Sequence, residues 1–253
     1  MTAFFDYPHA AAFGRMVPKI KIYEHAGANA ALKDLFVREV DQIIWRFKLA
    51  PETINLNATE SVTEIQVFGI SLKTPKLDDD VLRAIDRAIP FPLIFELSHG
   101  GKRMAVAAFK RPSEADRAKW MVSEYFATDW TPEDAPRAPL PVALNLGALY
   151  DGMLSALLSE QAERKRDTSI VGFGEAQQAD FNASATPPAP IGERVARLEA
   201  IRAKTREVER IKARLTRERQ FNKRVAINAE LRDANLELEQ LIVASAQPAA
   251  ARE

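Results

Sequence analysis

"IIWRFKLAPETINL", Ile43 to Leu56, decides how the first half of the chain is read. Upstream of it and into it, Leu32, Leu35, Phe36, Val40, Ile43, Ile44 and Phe47 recur at spacings of three and four. That pattern predicts an amphipathic helix from Ala30 to Leu49 with Asn29 as its N-cap. Pro51 is then expected to end the helix, because proline disfavours helical geometry at Ala50 and has no backbone N–H to donate. "TINL" follows as a short strand. On this reading Trp45, Arg46 and Lys48 have two uses. They end the helix and lead the chain into a sheet, with Trp45 packed at the sheet's edge, or they form an exposed interaction surface on the side of the helix shared by Asp41, Trp45 and Lys48.

Downstream, "EIQVFGISLK" (Glu64 to Lys73) is rich in β-branched and aromatic residues and apolar on both faces, which predicts a central strand. Asp78 caps a helix, "DDVLRAIDRAI", whose Val81, Leu82, Ile85 and Ile89 share one face and which Pro90 stops. "PLIFELSHGGKRMAVAAFK" predicts a hairpin, Leu93 to Leu97 and Met104 to Phe109, turned over His99, Gly100 and Gly101. "WMVSEYF" adds a strand. After the proline-rich loop from Pro132 to Pro141, "LGALYDGMLSALL" has helical spacing and closes the domain. Helices and strands do not alternate one for one, so residues 1–160 are read as α+β, with a mainly antiparallel sheet and packed helices.

Residues 161–190 turn to Ala, Gln, Gly, Ser and Pro, including "ATPPAP", and read as a linker. Beyond Gly192 about fifty residues pass without proline or glycine, which predicts one long coiled-coil-like helix over 191–243 and a flexible tail over 244–253. Its apolar stripe comes in three blocks. Leu198, Ile201, Thr205 and Val208 form the first; Ile211, Leu215, Glu218, Asn222 and Val225 the second; Ile227, Leu231, Ala234, Leu238 and Leu241 the third. Such blocks predict pairing with another copy, a partner or the chain's own domain, with breaks of phase between them and Asn222 favouring one register.

The chain has 35 Lys and Arg against 35 Asp and Glu, but the balance is uneven along its length. Arg202, Lys204, Arg206, Arg210, Lys212, Arg214, Arg217, Arg219, Lys223 and Arg224 stand among only three acidic residues. These ten cations are the candidate nucleic-acid contacts, acting on phosphates through counterion release. Their bland alternative is the solvated exterior of a coiled coil. No zinc finger, sustained basic zipper or helix-turn-helix accompanies them.

Cysteine is absent, which excludes disulfides, thiolate zinc sites and cysteine nucleophiles and fits a cytoplasmic protein. No basic-then-apolar start and no long apolar run predict export or a membrane span. His9, His25 and His99 lack metal-ligand spacing, and neither a phosphate-binding GxxxxGK[ST] loop nor a GxSxG elbow occurs. No metal or cofactor is therefore expected under the main reading. One catalytic alternative is carried forward: Glu64 and Gln66 on one strand, Lys73 farther along it and Glu96 on the neighbouring strand form a set whose carboxylates would hold Mg²⁺ and activate water for phosphodiester cleavage. The set is similar to the acidic-residue-plus-ExK arrangement of restriction-type nucleases, active or degenerate, with glutamine where the lysine should stand.

"KIKIYEH", "IIWRFKLAPETINL", "EIQVFGISLK", "DRAIPFPLIFEL" and "YFATDW", in that order and spacing, resemble a bacterial family known as domain of unknown function 4391, from Pro18 to Leu158. The family supplies no catalytic residues to carry over. The resemblance implies genetic company with DNA methyltransferases and helicase-type ATPases in restriction-like, antiviral clusters. The expectation is a non-catalytic accessory subunit that contacts such a partner as a homodimer or hetero-complex through its C-terminal helix, with DNA as a further candidate partner.

Overall fold

The computed structural model describes residues 3–113, 120–169 and 189–246. They fall into two units, divided between Glu175 and Ala176. The first runs β1 (Phe5–Asp6), a 3-10 turn at His9–Ala11, β2 (Ala12–Met16), α1 (Lys19–Ala26), α2 (Ala30–Glu39), β3 (Val40–Leu49), α3 (Pro51–Ile54), β4 (Ile65–Leu72), α4 (Asp79–Ala88), β5 (Leu93–His99), β6 (Lys102–Pro112), β7 (Trp120–Ala127), β8 (Thr131–Pro132), β9 (Ala138–Pro139) and α5 (Leu146–Ser169). The second holds α6 (Ile191–Arg217) and α7 (Phe221–Ala246).

The expected helix over Ala30 to Leu49 is half helix and half strand. Asn29 does cap α2, its side chain accepting from the Leu32 amide at 2.9 Å, but the helix ends at Glu39 and Val40 to Leu49 pair with β4. The physical reason is a pair of register shifts in β3, at Asp41 and at Arg46. Each bulge displaces the alternation of the strand by one residue, so that Val40 and Ile43, like Ile44 and Phe47, fall three apart and mimic helical spacing. The β-branched and aromatic content of "VDQIIWRFKL" was the better guide. At the switch, the Lys19 ammonium donates to the carbonyls of Phe36 (3.4 Å), which also accepts the Val40 amide, and of Val40 (2.5 Å), setting a cation at the C-terminal end of α2. Pro51 opens a helix rather than ending one: it occupies the first position of α3, and "TINL" is not a strand.

The main sheet has the order β2-β3-β4-β5-β6-β7, with β8 also on β6, and a separate small pair joins β1 to β9. Within the main sheet only β4 and β5 run parallel; the other pairs are antiparallel. A parallel pair needs a crossover, and α4 supplies it. The unit is α+β with a mainly antiparallel sheet, and β4 is internal, as its two apolar faces predict. One face carries Phe68, Ile70, Phe95 and Leu97 in a core with Ile22 of α1, Phe36 of α2 and Val81 and Ile85 of α4. The Asp78 side chain caps α4 from the Asp80 amide at 2.9 Å.

Two polar fixings hold the far half of the sheet. The buried Tyr150 hydroxyl of α5 donates to the Ala108 carbonyl (2.7 Å) and accepts from the Lys110 amide (3.0 Å), where the β6–β7 register slips. It satisfies backbone groups that a bulge withdraws from the ladder. Lys110 itself is buried, with its ammonium donating to the carbonyls of Asp86 and Ile89, both at 2.5 Å, and lying 3.4 Å from the Asp86 carboxylate. The Tyr125 hydroxyl donates to the other Asp86 oxygen at 2.5 Å. Burial lowers the Lys110 pKa and raises that of Asp86. The ammonium thus ties the C-terminal end of α4 to β6.

In the second unit the single long helix expected over 191–243 is two helices that fold back on each other. Val208, Ile211 and Leu215 of α6 pack with Ile227, Leu231, Ala234 and Leu238 of α7. Arg214 pairs with Glu230 at 2.9 Å, and Lys204 pairs with Glu237, so the helices are antiparallel. No proline or glycine makes the break. The Glu218 carboxylate accepts from the amides of Arg219 and Gln220, both at 2.9 Å, and stops α6. Residues 161–169, expected in a linker, continue α5, while 170–188 lie outside the described residues. Residues 244–246 of the expected tail belong to α7, and 247–253 lie outside.

Candidate functional site

Trp45, Arg46 and Lys48 do not form one surface, because β3 sends them in different directions. The Trp45 ring lies between Phe13 (4.0 Å between centroids) and Phe68 (6.0 Å), and its indole N–H donates to the Phe47 carbonyl at 2.9 Å. Lys48 pairs with Glu52 (2.7 Å) and Glu64 (3.3 Å). Arg46 is the unpaired residue of a bulge, since Trp45 stands opposite Phe68 and Phe47 opposite Val67. A bulge re-aims its extra side chain. Here it lays Arg46 across Gly69, where an added Cβ would come within 2.6 Å of the Arg46 Cδ.

Arg46 reaches through that gap to Glu96 at 3.0 Å. Glu96, buried on β5 opposite Gly69, also accepts two bonds from Arg137, at 2.7 and 2.8 Å. The paired bonds hold the Arg137 guanidinium above its ordinary pKa. Arg103 is close by, 5% exposed, donating to the Ala135 carbonyl at 2.5 Å, with its Nε buried and lacking a partner among the described residues. The buried Tyr7 hydroxyl is likewise without a partner there. Burial, then the Glu96 charge, push its pKa well up, so it stays protonated. Arg46, Ser71, Glu96, Ser98, Arg103 and Arg137 help to line a hollow of about 360 Å³.

The four residues of the nuclease alternative are not brought together. Gln66 donates to Glu64 at 2.5 Å, and both sit beside Lys48 at the start of β4. Glu96 points to the opposite face: Gln66 registers with Leu93 and Gly69 with Glu96, and Leu93 and Glu96 differ by an odd number of strand positions. Lys73 is beyond the other end of β4, donating to the Val37 carbonyl at 2.7 Å. Three guanidinium bonds occupy the Glu96 carboxylate, making it the centre of an ion network that joins β3, β5 and the segment before β9. Among the described residues no group of three His, Cys, Asp or Glu side chains is placed to hold a metal ion.

The fold-back of the second unit divides the ten candidate cations. Lys204, Lys212 and Arg214 are paired with Glu237 and Glu207, Glu209, and Glu230 respectively. Arg202, Arg206 and Arg210 lie on the body of α6, where the Arg210 Nε donates to the Arg206 carbonyl at 3.3 Å. Arg217, Arg219, Lys223 and Arg224 collect at the turn and form no ion pair among the described residues. Asn222 is exposed beside them and takes no part in the α6–α7 seam.

Residues 5–238 match the family described as Domain of unknown function (DUF4391). The chain belongs to that family. No curated protein and no solved structure matches it. The DUF4391 match takes in the sheet, the Glu96 network and most of the helical hairpin, well beyond the Pro18 to Leu158 span on which the sequence resemblance rests.

Two features of this DUF4391 chain escaped the sequence. Arg137 lies in a proline-rich loop and nothing in its spacing points to Glu96. The turn at Glu218 had a signal: the apolar phase breaks between Val225 and Ile227, and the third block faces Val208 at the end of the first and Ile211 and Leu215 at the start of the second. Among the described residues no helix is long and apolar enough to cross a membrane.

Proposed function

We propose that the protein is a non-catalytic accessory subunit of a bacterial restriction-like anti-phage system, working in the cytoplasm and contacting a helicase-type ATPase or DNA methyltransferase. The class of partner comes from the family resemblance. The observation that carries the reading is an apolar stripe on α7: Phe221, Val225, Leu236 and Val243 are exposed by 78, 53, 58 and 58%. At about 100° per residue they fall within about 60° of one another, on the side of α7 away from Ile227, Leu231, Ala234 and Leu238. Arg232 and Glu239 share that sector, so a partner helix would bring apolar side chains and matching charges. The seam that a coiled-coil homodimer would use is filled by α6, which favours a hetero-complex.

The test is affinity capture of the tagged full chain from its native host, beside a Leu236→Glu/Val243→Glu variant. Recovery of a helicase or methyltransferase with the unaltered chain, and its loss with the variant, is the expected result. Recovery of neither, or equal recovery with both, removes the reading.

A further inference from the structure

The turn between α6 and α7 reads "RERQFNKR", Arg217 to Arg224. Phe221 starts α7 and is 78% exposed, the most exposed aromatic side chain among the large exposed apolar residues of the described chain. Around it stand Arg217, Arg219, Lys223 and Arg224, none of which forms an ion pair among the described residues. Glu218 is the one acid in this stretch, and its carboxylate is turned onto the amides of Arg219 and Gln220. An open hollow of about 430 Å³ lies beside the turn, lined by Arg214, Arg217 and Lys223 together with Glu218, Glu230 and Ile227. Farther along α7 the charge reverses, through Glu230, Asp233, Glu237 and Glu239, so on α7 the cations gather at the turn end.

We infer that this turn binds single-stranded nucleic acid, with Phe221 stacking on an unpaired base and Arg217, Arg219, Lys223 and Arg224 on the phosphates that flank it. A protruding aromatic ring ringed by unpaired cations fits that ligand on two counts. Every base offers a face for stacking only when it is not sandwiched in a duplex, and the phosphate repeat matches several cations spaced over one turn. An acidic peptide would satisfy the cations and leave the ring without a planar partner. The inference goes beyond the accessory-subunit reading and does not depend on it: Phe221 belongs to both surfaces, but the turn cations and the Leu236–Val243 end of the stripe are separately mutable.

The test uses the full chain and fluorescein-labelled oligonucleotides of twenty dT and of twenty U, the corresponding duplex, and poly-glutamate as competitor, with anisotropy read over a salt series. The single strands are expected to bind more tightly than the duplex. Four phosphate contacts give a slope of log K against log salt of about −3, and Arg219→Gln/Lys223→Gln reduces its magnitude by about 1.4. Phe221→Ala is expected to weaken single-strand binding about tenfold and to abolish the preference over duplex, with the circular dichroism spectrum unchanged because Phe221 is outside the seam. Binding that Phe221→Ala leaves intact, displacement by poly-glutamate at equal charge, or no binding at low salt would each overturn the inference. DNA and RNA strands binding alike would support stacking as the common element. Native-host capture with Arg219→Gln/Lys223→Gln, which leaves the apolar stripe of α7 intact, separates the two readings, since that variant retains any protein partner held by the stripe.

Discussion

Arg214 on α6 donates to Glu230 on α7 across 2.9 Å, two residues 16 positions apart in the chain. In one continuous helix those positions would be about 24 Å apart along the axis. The pair therefore marks a reversal, and the reversal decides which cations are left for a ligand.

The seam behind that pair is short, so it is expected to be sensitive. Ala234 is 3% exposed between the helices, and Ala234→Glu would bury a carboxylate without a partner. Circular dichroism of the full chain should show a loss of helix at 25 °C, with the sheet's near-ultraviolet signal kept. An unchanged spectrum would mean that α6 and α7 do not rely on each other.

Glu96 is the hub for Arg46 and Arg137, and its removal leaves guanidinium groups facing each other in a partly buried site. Glu96→Ala should destabilise the first unit by about 3–5 kcal/mol in urea unfolding. A loss under about 1 kcal/mol would reduce the network to surface pairing.

Gly69 and Arg46 should behave as one feature. Gly69→Ala places a Cβ within 2.6 Å of the Arg46 Cδ and should cost about 1–2 kcal/mol by displacing a charged hydrogen bond. In an Arg46→Ala background the same change should be nearly neutral. Equal costs in the two backgrounds would place the strain elsewhere.

Lys110 makes a prediction about α4. Lys110→Met strands the Asp86 carboxylate and two carbonyls, and the expected loss is about 3–5 kcal/mol. Adding Asp86→Asn should restore part of it. A double variant as unstable as the sum of the single ones would deny the coupling.

The elements legible in the sequence are those whose pattern was local. Asp78 and Asn29 announced their helices through capping, and β4 announced its central place through apolar residues at both parities. β3 misled because its bulges at Asp41 and Arg46 shift the alternation and set apolar residues three apart, the spacing of a helix. Glu96 and Arg137 meet across the fold, and only β-strand register and a bulge at Arg46 bring the third partner in. The basic run from Arg202 to Arg224 was visible, but the subset at the turn was not, because the ion pairs that occupy Lys204 and Arg214 come from α7 after the chain has reversed.

The fold-back of the C-terminal segment is tested most directly by a distance between Ala203 and Gln240, two exposed positions on α6 and α7. The chain has no cysteine, so Ala203→Cys/Gln240→Cys takes spin labels at those sites alone. Antiparallel packing predicts a narrow pulsed dipolar distribution at about 10–25 Å, the interhelical spacing plus the label arms. A distribution centred near about 55 Å, the length of an unbroken helix between them, would contradict the hairpin and with it the cation cluster at its turn.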